Sequence, residues 1–86
     1  MTPLDAATWM LATVKSQGEL YQEAVANELI GHGDEALAYY DDSGNVCVGK
    51  KVLSEFKKIS PDIVWSKSGK YWRQRESDDE PGRMQA

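Results

Sequence analysis

Thiol and imidazole side chains are almost missing from these 86 residues: there is one cysteine, Cys47, and one histidine, His32. A single cysteine excludes an intrachain disulfide, which fits a reducing compartment. One thiol and one imidazole in different stretches of chain fall short of the four soft or imidazole ligands of a structural zinc site. Neither has an orienting or oxyanion partner at a familiar spacing, so no base–nucleophile pair is expected and the chain does not read as an enzyme. Long apolar runs are missing too. The longest, Ala36–Tyr40, is far short of the roughly 20 residues that span a bilayer, and no basic-then-apolar leader opens the chain. The expectation is a soluble, cytoplasmic protein with no cofactor, no metal, no membrane partner and no small-molecule substrate. The carboxylates cluster at Asp34-Glu35, Asp41-Asp42 and Asp78-Asp79-Glu80. They lack the spaced oxygens of a calcium loop, so they read as solubility and turn chemistry.

What is present is one core's worth of chain. Three Trp and four Tyr compensate for small size, each large ring burying roughly 150–250 Å². The net charge of −4 hides a segregation. Residues 1–49 hold eight acids and one base, residues 50–75 hold eight bases and two acids, and residues 76–86 hold four acids and one base. Charge blocks of this kind point to an interaction surface.

Local signals divide the chain into elements. Thr2-Pro3-Leu4-Asp5 predicts a helix start, with Thr2 as cap and Pro3 at the first helical position. Leu4, Ala7, Leu11 and Val14 mark its inner face, with Met10 beside it, and Gly18 ends it. Glu19–Tyr21 predicts a very short strand, and Gln22–Ile30 a second helix with Tyr21, Val25 and Leu29 along one face. Leu37–Val48 predicts a hairpin centred on Asp42-Ser43-Gly44-Asn45. That centre puts Tyr39 opposite Val48 and Tyr40 opposite Cys47, with Leu37, Tyr39, Val46 and Val48 on the core side. The third helix, Lys50–Ile59, carries Val52, Leu53, Phe56 and Ile59 on one stripe and four lysines on the other side; Pro61 stops it. A second hairpin joins Ile63–Trp65 to Tyr71–Arg75. A loop of Lys67–Lys70 sets Trp65 against Trp72 inside and sends Tyr71, Arg73 and Arg75 outward. Residues 1–75 form the domain, and residues 76–86 an acidic tail expected to be disordered or loosely draped, or folded over the basic hairpin.

Three segments carry a resemblance: Gly44-Asn45-Val46-x-Val48-x-Lys50-Lys51-Val52-Leu53-x-x-Phe56-Lys57, Tyr71-Trp72-Arg73-x-Arg75-Glu76, and Asp79-Glu80-Pro81-Gly82-Arg83. Together with the first helix they resemble a family of small, functionally uncharacterised bacterial proteins of winged-helix type, some borne on integron mobile gene cassettes. The resemblance implies an α+β, winged-helix-like fold with three helices, a hairpin inserted before helix three, and a C-terminal wing. It also implies that the Pro-Gly-Arg end packs or binds. It implies no activity.

Two surfaces follow as candidates. Lys50, Lys51, Lys57, Lys58, Lys67, Lys70, Arg73 and Arg75 form a basic set suited to phosphate contacts, so the first expectation is a non-enzymatic DNA-binding or accessory transcription module using helix three and the wing. The third helix lacks the Arg, Asn and Gln side chains that read base edges, which favours backbone contact over sequence reading. The alternative is a protein-interaction module or homodimer without a nucleic-acid role, using Tyr40, Trp65, Tyr71 and Trp72.

Overall fold

A computed structural model describes residues 1–85 and shows an α+β domain of three helices and six strands in two sheets. Helix α1 (Pro3–Gln17) starts as its sequence predicts. Thr2 Oγ1 accepts from the Asp5 amide (3.1 Å), and the Asp5 carboxylate accepts from the Thr2 amide (2.9 Å), the reciprocal pair of a capping box. These bonds hold the Asp5 carboxyl below its ordinary value. Its buried stripe is Ala6, Ala7, Met10 and Val14, whereas Leu4 is exposed and Leu11 half-buried. The inner face is therefore turned from the expected one, toward small residues that let α1 lie close along α3 (Lys50–Ile59).

Strand β1 (Glu19–Tyr21) leads straight into α2 (Gln22–Ile30), which buries Val25, Ala26 and Leu29. Tyr21 belongs to the strand and is exposed, not part of the α2 stripe. β2 (Ala38–Tyr40) and β3 (Val46–Val48) form the two-stranded sheet beside α2. Their register differs by one from the expected pairing: Ala38 faces Val48, Tyr39 faces Cys47 and Tyr40 faces Val46. The turn is the cause. The Asp41 amide donates to the Asn45 carbonyl (2.9 Å), and the Asp41 carboxylate accepts from the Ser43 and Asn45 amides. Gly44 takes a positive φ of 83°. The result is a three-residue loop with a left-handed glycine. Ala38, not Tyr39, therefore joins Val48 in the core.

Gly49 joins β3 to α3. Its amide donates to the Leu37 carbonyl (2.8 Å). A Cβ here would lie 2.8 Å from the Ala36 carbonyl carbon, and closer still to the Ala36 oxygen. Only glycine lets the two backbones touch. α3 then buries Val52 and Phe56, with Leu53 and Ile59 half-buried beside them.

The larger sheet has the order β1-β5-β4-β6, where β4 is Ile63–Ser66, β5 Tyr71–Gln74 and β6 Met84–Gln85. β4 and β5 pair as expected, Trp65 opposite Trp72. Leu20, Trp72, Trp65 and Met84 lie in one row across the four strands. This inner row meets α3, and the Phe56 ring stands edge-on to Trp72 at 5.4 Å. Residues 76–85 are not a loose tail. They cross the outer face of the sheet and end in β6, which runs parallel to β4.

Candidate binding surface

The basic residues of the central block are distributed over three places. Lys50 and Lys57 stand two turns apart on one exposed strip of α3. The loop between β4 and β5 carries Lys67 and Lys70, both exposed. The Lys70 carbonyl accepts the Gln22 amide (3.0 Å), and Gln22 lines a groove with Lys57. Lys51 and Lys58 lie on the far flank of α3. Lys51 lines a hollow with Pro3 and Leu4 of α1, and Lys58 donates to Glu55 (3.3 Å). That Lys58–Glu55 pair is exposed, so its contribution is small.

Arg73 and Arg75 occupy the third place. Neighbours along a strand point to opposite faces, so Arg73 lies on the outer face while Trp72 packs inward. Both arginines are engaged by the C-terminal segment. Arg73 donates from Nη1 and Nη2 to the two Asp79 carboxylate oxygens (2.8 and 2.7 Å), a fork that matches a carboxylate bidentately. Asp79 also accepts from the Glu76 amide (2.7 Å). The hydrogen bond to Asp79 holds the Arg73 guanidinium above its ordinary value, and the same bond, with the Glu76 amide, holds Asp79 well below the usual carboxylate range. Arg75 donates to the Glu80 carbonyl (3.0 Å) and to the Gly82 carbonyl. The acidic segment thus folds over the basic hairpin on its outer side, and the eight basic residues do not form one continuous face.

The four aromatics of the alternative surface are also separated. Trp72 is 5% exposed and belongs to the core. Tyr40, 63% exposed, lies on the smaller sheet. Tyr71 stacks on Tyr21 at 5.1 Å on the outer face of the larger sheet. Trp65, half-buried, lines a concavity whose floor includes Trp72.

That concavity is a groove of about 370 Å³ between α3 and the β4–β6 edge. Phe56 and Trp72 form its floor, and Leu53, Trp65 and Met84 its walls. The Trp65 and Trp72 rings are 4.8 Å apart. Two cations border it, Lys57 and Arg83. Arg83 is fixed: Nη1 donates to the Ser60 (2.9 Å) and Ile63 (3.2 Å) carbonyls, Nη2 donates to Ser60 Oγ (2.9 Å), and the guanidinium lies 5.3 Å from the Phe56 ring centre. Burial pushes the guanidinium below its ordinary value. Met84 and Arg83 are the site residues that charge blocks and periodicity miss. Their only sequence signal is the Pro-Gly-Arg motif before an isolated apolar residue.

Cys47 is half-buried, with Sγ 3.7 Å from the Asn45 carbonyl, and His32 lies in an exposed turn. Among the described residues no three His, Cys, Asp or Glu side chains are grouped to hold a metal, and no helix is long and apolar enough to cross a membrane. Residues 2–74 match the model of a "Family of unknown function (DUF6953)", and the chain belongs to that family. No curated protein and no solved structure matches it.

Proposed function

We propose that this member of a family of unknown function is a small, non-enzymatic module of winged-helix type that binds nucleic acid through α3 and the β4–β5 wing. One observation carries the reading. Lys50, Lys57, Lys67 and Lys70, on α3 and the β4–β5 loop, are all exposed and pair with no carboxylate among the described residues. Lysines presented this way act on phosphate as unsatisfied point charges. The element order of helix, short strand, helix, helix and two strands supports the winged-helix assignment, with β2–β3 as an insertion before α3. The proposal includes a role as DNA-binding or accessory transcription protein in the bacterial cytoplasm. It also includes kinship with the proteins carried on integron cassettes. Arg73 and Arg75 are left out of the binding face because the C-terminal segment uses their donors.

A protein-interaction or homodimer reading has one observation in its favour, the 54% exposure of Met84 beside Trp65. The separation of Tyr40, Tyr71 and Trp72 weighs against a single aromatic interface.

Fluorescence anisotropy with labelled DNA tests the nucleic-acid reading. Affinity is expected to fall with rising salt. Lys57→Glu is expected to weaken binding across sequences and to lower the salt slope by about one. No binding at low salt, or binding that Lys57→Glu leaves unchanged, refutes it.

A further inference from the structure

Resting on that reading, we propose that the nucleic acid is single-stranded and that an unstacked base enters the groove between α3 and the β4–β6 edge, against Trp65 and Met84, while Lys57 and its neighbours hold the flanking phosphates.

Three features of the molecule converge on a single strand. The first is the geometry of charge. A duplex reader presents a broad basic face, but here Arg73 and Arg75 are bound on the outside, and Lys51 and Lys58 turn to the far flank of α3. The cations left near the groove are Lys57, with Lys50 on the same strip of α3 and Lys70 beyond Gln22. So few free cations suit one phosphate backbone better than the two of a duplex.

The second feature is the groove itself. A cavity of about 370 Å³ lies at the small end of the roughly 300–1,000 Å³ range of ligand sites. Its lining sets Phe56, Trp65, Trp72, Leu53 and Met84 beside Gln22, Lys57 and Arg83, and Met84 is 54% exposed. Proteins that hold single strands pair a positive groove with aromatic side chains on which bases stack, and every base has a π-face to offer. The third feature is what α3 omits. Its outward residues are lysines, Ser54 and Glu55, with no Arg, Asn or Gln to read the edge of a paired base. The net charge of −4 further disfavours wrapping a duplex, which carries twice the phosphate density.

The fixed guanidinium of Arg83 completes the site. Three of its five donors go to Ser60 and Ile63, which holds its positive charge in place at the groove wall.

The test compares a single-stranded oligonucleotide of about 12 residues with the duplex of the same sequence, on the full chain. The single strand is expected to bind more tightly, with a salt slope near −2, as about three phosphate contacts at roughly 0.7 each predict. Met84→Glu, a surface change that leaves the core intact, is expected to abolish the preference. Trp65→Leu is expected to cost roughly 5- to 150-fold, the span of one base–aromatic stack, and Trp65→Phe to restore most of it. Duplex binding at least as tight as single-strand binding, or single-strand binding indifferent to Met84→Glu, overturns the groove while leaving the nucleic-acid reading in place. Binding of neither probe overturns both. Self-association abolished by Met84→Glu, with no single-strand preference, assigns the groove to a second copy of the chain and also overturns the proposal.

Discussion

Gly49→Ala separates two rules that give opposite signs. Gly49 has φ −59° and ψ 141°, angles that alanine adopts without strain. By chain entropy alone, Gly→Ala at such a site stabilises by about 0.4–1 kcal/mol. Packing reverses the sign. The new Cβ would sit 2.8 Å from the Ala36 carbonyl carbon and 3.1 Å from that of Leu37, both backbone atoms that no rotamer change can move. Overpacking of this kind costs roughly 1–3 kcal/mol, and loss of a tolerated N-cap residue adds about 0.5–1 kcal/mol. The net expectation is a loss of about 1–3 kcal/mol, a fall in Tm of roughly 4–24 °C for a domain of this size. Urea unfolding followed by tryptophan fluorescence, alongside a thermal scan by circular dichroism, measures it. A variant as stable as the parent would refute the close approach of the β2–β3 hairpin to the start of α3, and with it the placement of Lys50.

Two more perturbations test the C-terminal segment. Asp79→Asn is expected to destabilise, with a definite pH signature. Because the folded carboxyl is held below its unfolded value, its contribution is present above about pH 4 and is lost as pH falls through the depressed value. The gap in urea midpoint between parent and variant should therefore be widest near neutrality and close in acid; a constant gap sinks the argument. Arg83→Lys is expected to cost about 2 kcal/mol, because a lysine keeps the charge but cannot fork between Ser60 and Ile63. Equal urea midpoints for Arg83→Lys and parent would show that the fork contributes nothing.

How much of this was legible beforehand depended on distance along the chain. The limits of α1 and α3 could be read because their causes are local: Thr2 and Asp5 are three residues apart, and Val52 and Phe56 repeat at helical spacing. The wing register followed from burial, because pairing Trp65 with Trp72 puts both indoles on the inner side. The first hairpin slipped by one because the Asp41 side chain, outside the expected turn, organises it. The lysines of the basic set are exposed, but where Arg73 and Arg75 went depended on which sheet face each took and what covered it.

The sequence by itself determined the order of elements as far as β5, the amphipathic α3 and the sign of its exposed face, because caps, glycines and periodic apolar residues act over a few positions. Only the tertiary structure decided that Arg73 and Arg75 serve the C-terminal segment, that Arg83 reaches back 23 residues to Ser60, and that Trp65 and Met84 share a groove with Lys57. These are contacts between stretches far apart in the chain. Such contacts form only when burial of the inner row of the sheet against Phe56 brings its strands and α3 together.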